Sequence, residues 1–332
     1  MVTPVREAAR VREADMIHFA VRRLASMVLV LFAVSVLVFL IFNAIPGGDP
    51  APRIAGEHAS DTQIQVIRHE WGFDRSLPVQ YAHTMEKLFG GRLVSYFTAV
   101  DVRREIWKGL PRTLSLALGA AMLWLVGGVA LGVLTAVRAG QTTDRVLSTL
   151  AVIGVSIPGF WLAAVMSHYL GFELGIFPNA GYVPLTDDPL QWAWHLTLPW
   201  LALTILFVGV YARVLHVAIL EAMHSDYVRT ARAKGISERR VILRHALRNA
   251  LIPVVALWSL DFGAVIGGSA ILIETIFNLQ GVGQYAASSL RQLDLPPIMA
   301  VSLYGAFFIV ILNAVADLIH AALDPRIRHQ LL

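Results

Sequence analysis

The 332-residue sequence has no cysteine, only three lysines and few charges of either sign, and each shortage excludes some chemistry. Without cysteine there is no disulfide framework, thiolate zinc site, iron–sulfur cluster or thiol nucleophile. The lysines are Lys87, Lys108 and Lys234, and none follows a glycine, so the Gly-Lys-Ser/Thr core of a phosphate-binding P-loop is missing. The chain does not hydrolyse ATP by that route. Charged residues make up 15% of the chain, against about 25% in soluble domains. Hydrophobic residues reach 56% and mean hydropathy is +0.63. One or two soluble cores of this size do not hide so much apolar surface, which reads instead as helices that are apolar all round. The +4 net charge and pI near 9.6 fit basic loops flanking such helices. No basic patch with interleaved aromatics points to nucleic acid.

Six charge-poor stretches are long enough to span a bilayer: Leu24 to Ile45, Thr113 to Val137, Val146 to Phe172, Ala193 to Ala212, Ala250 to Ile273 and Ile298 to Leu323. The first is too long for a signal-peptide core and no Ala-x-Ala-like site follows it, so it reads as a retained span. The expected organisation is all-α: a tail over 1–23, the first span over 24–45, an external loop or lid over 46–112, a five-helix core over 113–323 and a tail over 324–332. Orientation follows from Lys and Arg. The N-terminal tail, the loop after span two, the loop after span four and the C-terminal tail carry 17 of them. The segment from Glu173 to Trp192 has none, and that from Glu274 to Pro297 has only Arg291. Both termini are therefore expected in the cytoplasm.

Gly128/Gly132 and Gly263/Gly267 have the small-xxx-small spacing that lets helices approach closely in lipid. Pro158 and Pro199 fall inside spans three and four, where each removes a backbone donor and invites a kink. An ionisable group at membrane depth is a functional candidate. Asp261 lies mid-way along span five, while Asn313 and Asp317 share a face of span six. A watery path and a hydrogen bond to a neighbouring helix both account for Asp261. With Ser156 and Pro158, Asp261 and Asn313 are the candidate path residues. No metal or catalytic set emerges, and no cofactor is implied.

The loop between spans four and five, within 213–249, is more ordered in sequence than a connector needs to be. Helix formers run to Lys234, and Gly235 then supplies a left-handed stop. Ser237 suits an N-cap, with Ile236 and Val241 at the staple positions of the next helix. Two short helices should meet at a bend, with Ala231, Ala233 and Gly235 beside it. Such a pair suits a groove on another protein, or a basic surface resting on anionic headgroups.

Tyr227-Val228-Arg229-Thr230-Ala231-Arg232-Ala233-Lys234-Gly235, continued by His245-Ala246-Leu247-Arg248-Asn249-Ala250-Leu251-Ile252-Pro253, closely resembles the coupling-helix loop of inner-membrane permeases of the dipeptide/oligopeptide/nickel family of ABC importers. Pro46-Gly47-Gly48-Asp49-Pro50-Ala51, Gly72-Phe73-Asp74-Arg75-Ser76-Leu77-Pro78, Ser156-Ile157-Pro158-Gly159-Phe160-Trp161 and Leu323-Asp324-Pro325-Arg326 are similar to further family signatures. The sequence departs from the pattern at Gly90-Gly91-Arg92-Leu93, at His216, where relatives carry arginine, and at Leu279-Gln280-Gly281-Val282-Gly283.

The resemblance implies a six-helix permease of the type I importer fold in a bacterial inner membrane. It implies a homologous second permease, two ATPase subunits and an extracytoplasmic binding protein as partners. By the same resemblance Asp226, Tyr227, Arg229, Thr230, Ala231, Arg232, Ala233, Lys234 and Gly235 form the ATPase-coupling loop, and Asp49, Asp74, Arg75, Gly281 and Gly283 face the binding protein. Short peptides are the leading cargo, with nickel chelates or glutathione-like compounds as alternatives. A stand-alone ion-coupled carrier using Asp261 and Asp317 would leave the coupling loop unexplained.

Overall fold

The computed structural model describes residues 24–42, 51–56 and 58–323, and these are helical apart from turns and one isolated bridge between Val94 and Asp101. Asp49, both tails and the side chain of Asp317 lie outside the described residues. Among the described residues five helices are long and apolar enough to cross a membrane: Leu24–Phe42 (α1), Val102–Val137 (α5), Pro189–Met223 (α8), the run Glu238–Ser269, and the last helix from Leu295 (α14). A sixth span forms if Thr142–Ser156 (α6) and Gly159–Glu173, whose first part is Gly159–Met166 (α7), are one broken crossing bent by 95°.

The break has a local cause. Pro158 excludes the α conformation at the residue before it, and Ile157 is extended at φ −78°, ψ 129°. Pro158 then serves as the N-cap of α7, where a missing N–H costs little. Pro199 lies buried within α8, which continues past it as one helix.

The small-residue stripes pack as expected. A Cβ on Gly128 would fall 2.4 Å from Tyr211 Cβ, and one on Gly132 would fall 2.8 Å from Ala212 O, so α5 lies backbone-close along α8. Gly305 and Gly267 make the matching approach between α14 and the fifth span, where a Cβ on Gly305 would come 2.4 Å from Gly267 O. Leu116, Ala120, Trp124, Tyr211, Leu215 and Val254 fill the core these contacts enclose. Dispersion between close-packed side chains holds such helices together in lipid, which offers no hydrophobic drive for their association.

Two segments flank this core. Between the first and second spans, Ala51–Ala55 (α2), Asp61–Trp71 (α3) and Leu77–Phe89 (α4) precede a turn over 90–101. Ser60 and Gln63 close a capping box at the start of α3. At its end Trp71 packs edge-on against Tyr96, 5.0 Å between centroids, with Lys87 over its face. Tyr81 of α4 meets Ser35 of α1 at 2.7 Å. Between the fifth and sixth spans, the break at Gly268 (φ 127°) leads into Ile271–Ile276 (α12), a turn, and Val282–Gln292 (α13).

Candidate functional site

At the end of α8 the chain turns through Ser225 into Asp226–Ala233 (α9). Gly235 adopts φ 74°, a left-handed conformation that side chains disfavour. Its N–H donates to Arg232 O at 2.9 Å and the Ile236 N–H donates to Ala231 O at 3.3 Å, the paired bonds of a Schellman cap. Ser237 is the N-cap of Glu238–Arg240 (α10), with extended φ −60°, ψ 143°, though its hydroxyl makes no capping bond. From α10 the helix widens to π pitch over Val241–Ala246 and continues as Leu247–Ala264 (α11). The bend read from the sequence is present.

Its inner side is apolar. Val228, Ala231 and Val241 are buried together, with Met223 and Ile236 packed against them, so the expected staple between Ile236 and Val241 forms part of this cluster. Ala231, expected among the partner-facing small residues, is turned into the chain. It lies one helical turn from Val228 on the same face of α9. Asp226, Tyr227, Arg229, Thr230, Arg232, Ala233, Lys234 and Gly235 are exposed. Arg229 pairs with Asp226 at 3.6 Å. Arg232 forks onto Glu238 across the bend, Nε to Oε2 at 3.1 Å and Nη2 to Oε1 at 2.5 Å, a clasp the sequence reading did not pick out. The result is a short cationic helix on an apolar seat, presenting Tyr227 and small residues outward. It holds no nucleophile, base or metal set, so what it offers is a docking surface.

The path candidates are dispersed. Ser156 ends α6, its hydroxyl donating to Val152 O, and lines a cleft of about 770 Å³ with Thr135, Arg213 and His216. His216 Nδ1 lies 3.0 Å from Thr135 Oγ1 and 3.9 Å from Asp144, so this residue joins α8 to the end of α5 and the first turn of α6. Asp261 accepts a 2.8 Å hydrogen bond from the buried Tyr211 hydroxyl of α8, which is the neighbouring-helix arrangement. Asn313 is half-buried on α14, which packs along α11.

The expected receptor-facing residues also separate. Asp74 and Arg75 sit in the turn between α3 and α4. There His69 Nδ1 approaches Asp74 Oδ2 at 2.9 Å, and this hydrogen bond holds the Asp74 carboxyl below its ordinary range. Gly281 and Gly283 are buried rather than presented, because both lie against the carboxylate of Glu274.

Glu274 and Asp294 are buried acids that hydropathy does not mark, since both stand just outside the apolar spans. Glu274 is 1% exposed and Asp294 2%. Burial raises both carboxyls above their ordinary values, while hydroxyl and backbone donors oppose that rise. Asp294 accepts from Ser95 Oγ and, at 3.0 Å, from Tyr96 N–H, tying the turn over 90–101 to the start of α14. An acid inside the apolar run Ile271–Phe277, shortly before Gly-x-Gly, was the available signal.

Comparison with known proteins matches the same chain twice over. Residues 128–329 match the family of binding-protein-dependent transport system inner membrane components, and residues 16–117 match the N-terminal region described for such membrane components. A Brucella abortus protein named provisionally as a peptide transport system permease is 38% identical over 311 residues, covering 93% of this chain and 98% of its own. The glutathione transport system permease GsiC of Escherichia coli K12 is 37% identical over 317 residues, covering 95% of this chain and all of its own. Among solved structures, an inward-facing MetNI methionine ABC transporter chain aligns with TM-score 0.55 at 21% identity, over 67% of this chain and 97% of its own. An amino acid ABC transporter chain aligns with TM-score 0.51 at 15% identity, over 66% of this chain and 94% of its own. Those two likenesses concern the fold. The protein belongs to the binding-protein-dependent transport system inner membrane components, as a multi-pass, non-catalytic permease of an ABC importer related to peptide and glutathione permeases.

Proposed function

We propose that the chain and a second, homologous permease enclose a path for short peptides, delivered by an extracytoplasmic binding protein and driven by two ATPases seated on the Asp226–Gly235 loop. The observation that carries this reading is the construction of α9. Its apolar side is consumed by Val228, Ala231 and Val241, its end is fixed by the Schellman cap, and a cationic face with Tyr227 and Ala233 is left outward. A helix held this firmly transmits a push to α8, which it follows directly, and through α10 and the Val241–Ala246 segment to α11, as rigid-body alternating access requires. In this reading the loop over 213–249 and both tails are cytoplasmic, and the segment over 46–112 is an external lid with Asp49, Asp74 and Arg75 toward the binding protein. Ser156, Pro158 and Asn313 belong to the path in this reading, whereas Asp261 serves the contact with Tyr211. A second cargo, glutathione-like peptides, is favoured by the similarity to the E. coli glutathione permease.

The test is co-purification of the tagged chain from its host, with ATPase and uptake assays, for the native sequence and for Ala233→Trp. The native chain should bring down a second permease and ATPases. The tryptophan variant should lose the ATPases or uncouple ATP use from uptake, without loss of folded protein. Purification of the chain alone, with solute movement following an ion gradient, would overturn the reading. Competition of labelled di- and tripeptides against glutathione in the same vesicles separates the two cargoes.

A further inference from the structure

Glu274 is buried among donors. Thr113 of α5 accepts the Val282 N–H at 2.9 Å, which directs its own hydroxyl proton to Glu274 Oε1 at 2.7 Å. Oε2 accepts the Gln284 N–H at 2.8 Å, and the Gly283 N–H is also directed at this carboxylate. Gly283 and Gln284 are the second and third residues of α13, whose N–H groups have no acceptor within their own helix. Glu274 therefore caps α13 from another helix, with its charge against the positive end of that helix. The space for this arrangement is built in: a Cβ on Gly281 would fall 2.5 Å from Oε2, and one on Gly283 would fall 3.0 Å from it. Three elements, α5, α12 and α13, meet at one carboxylate. The hairpin they fix borders a cleft of about 510 Å³ lined by Gly268, Ala287, Arg291 and the end of α1.

We infer that Glu274 is a positioning residue for transport, whose carboxylate keeps the α12–α13 hairpin docked on the entry of α5 in the resting permease. Its role in transport rests on the importer reading above, whereas the docking itself does not. A charged acceptor with several converging donors is stronger and more directional than a neutral contact. An amide in its place turns a donor toward other donors. The hairpin then leaves α5 more often, and the cleft opens without the signal that should open it.

The chain has no native cysteine, so a single introduced thiol reports the hairpin cleanly. Ala287→Cys lies half-buried on the cleft, and its labelling by a membrane-impermeant maleimide is followed in right-side-out and inverted vesicles that carry the whole complex. Glu274→Gln in this background is expected to raise the labelling rate about tenfold, the shift that loss of one buried charge-assisted bond gives. Thr113→Val should act in the same direction. The double variant should label no faster than the faster single one, because both changes break one network. ATPase activity without binding protein should rise in parallel. Ala163→Cys, fully buried in the third span, should remain unlabelled throughout and excludes general loosening. Labelling of both variants at the parent rate overturns the inference. So does failure of both to accumulate, or labelling at Ala163→Cys, since the network would then serve folding and not positioning. Faster labelling without a rise in ATPase activity supports the docking and counts against its role in transport, so the two fail separately.

Discussion

Gly235 and Gly281 stand in two bends of the same chain, and each is glycine for a different reason. Gly235 has φ 74° and nothing within 4 Å of where its Cβ would be, so its requirement is purely local backbone geometry. Gly281 has φ −81°, which any residue adopts, yet its Cβ position is filled by a carboxylate that comes from seven residues earlier in the chain. The first bend is held by bonds between near neighbours and by an exposed Arg232–Glu238 clasp. The second is held by Thr113, 161 residues away from Glu274 in sequence. Short-range constraints build a loop that stands out and docks. Long-range constraints build a hairpin that must be held against the core.

The contrast is sharpest in six substitutions. Gly281→Ala should cost the most, about 3 kcal/mol, because the new methyl displaces a buried, fully hydrogen-bonded carboxylate. Thermal unfolding in detergent would register it as loss of the folded chain. A change under about 0.5 kcal/mol would break the comparison by showing that Glu274 has room to move. Ala231→Leu should cost about 2 kcal/mol by overfilling the seat of α9, while Ala233→Leu, exposed two residues on, should be nearly silent in the same assay. Equal effects at both positions would contradict the inward turn of Ala231.

Gly235→Ala should destabilise by about 1 kcal/mol through the positive φ alone, and Gly235→Asn by less, since asparagine tolerates the left-handed region. A larger loss for asparagine than for alanine would mean that space, and not φ, is limiting there. Among the changes that remove a contact, Arg232→Ala should have the smallest effect. Its clasp is exposed on both sides, where solvent and salt screen the pair. Melting temperature should hardly move, whereas ATPase coupling reports any effect on the set of the bend.

The parts legible in the sequence are those whose causes are short in range. Lys234-Gly235 followed by Ser237 gave the stop and restart of the coupling loop, and Ile236 with Val241 gave the staple beneath it. Pro158 marked a kink in the third span, which the structure deepens to a 95° break because the residue before proline loses the α region. Gly128/Gly132 and Gly263/Gly267 marked the faces on which helices meet. Lipid rewards small residues there regardless of which partner arrives.

Hydropathy and charge alone determined that this is a helical membrane protein, because a bilayer demands apolar spans of a minimum length with their backbone bonds satisfied within each helix. Tertiary structure alone decided that Ala231 faces inward while Ala233 faces outward, that Asp261 meets Tyr211, and that Gly281 and Gly283 are buried around Glu274. Apart from Ala231, which shares a helical face with Val228, none of those outcomes has a periodicity to read. Each depends on which distant element supplies the opposing surface, and a buried carboxylate finds its donors only once α5, α12 and α13 have come together.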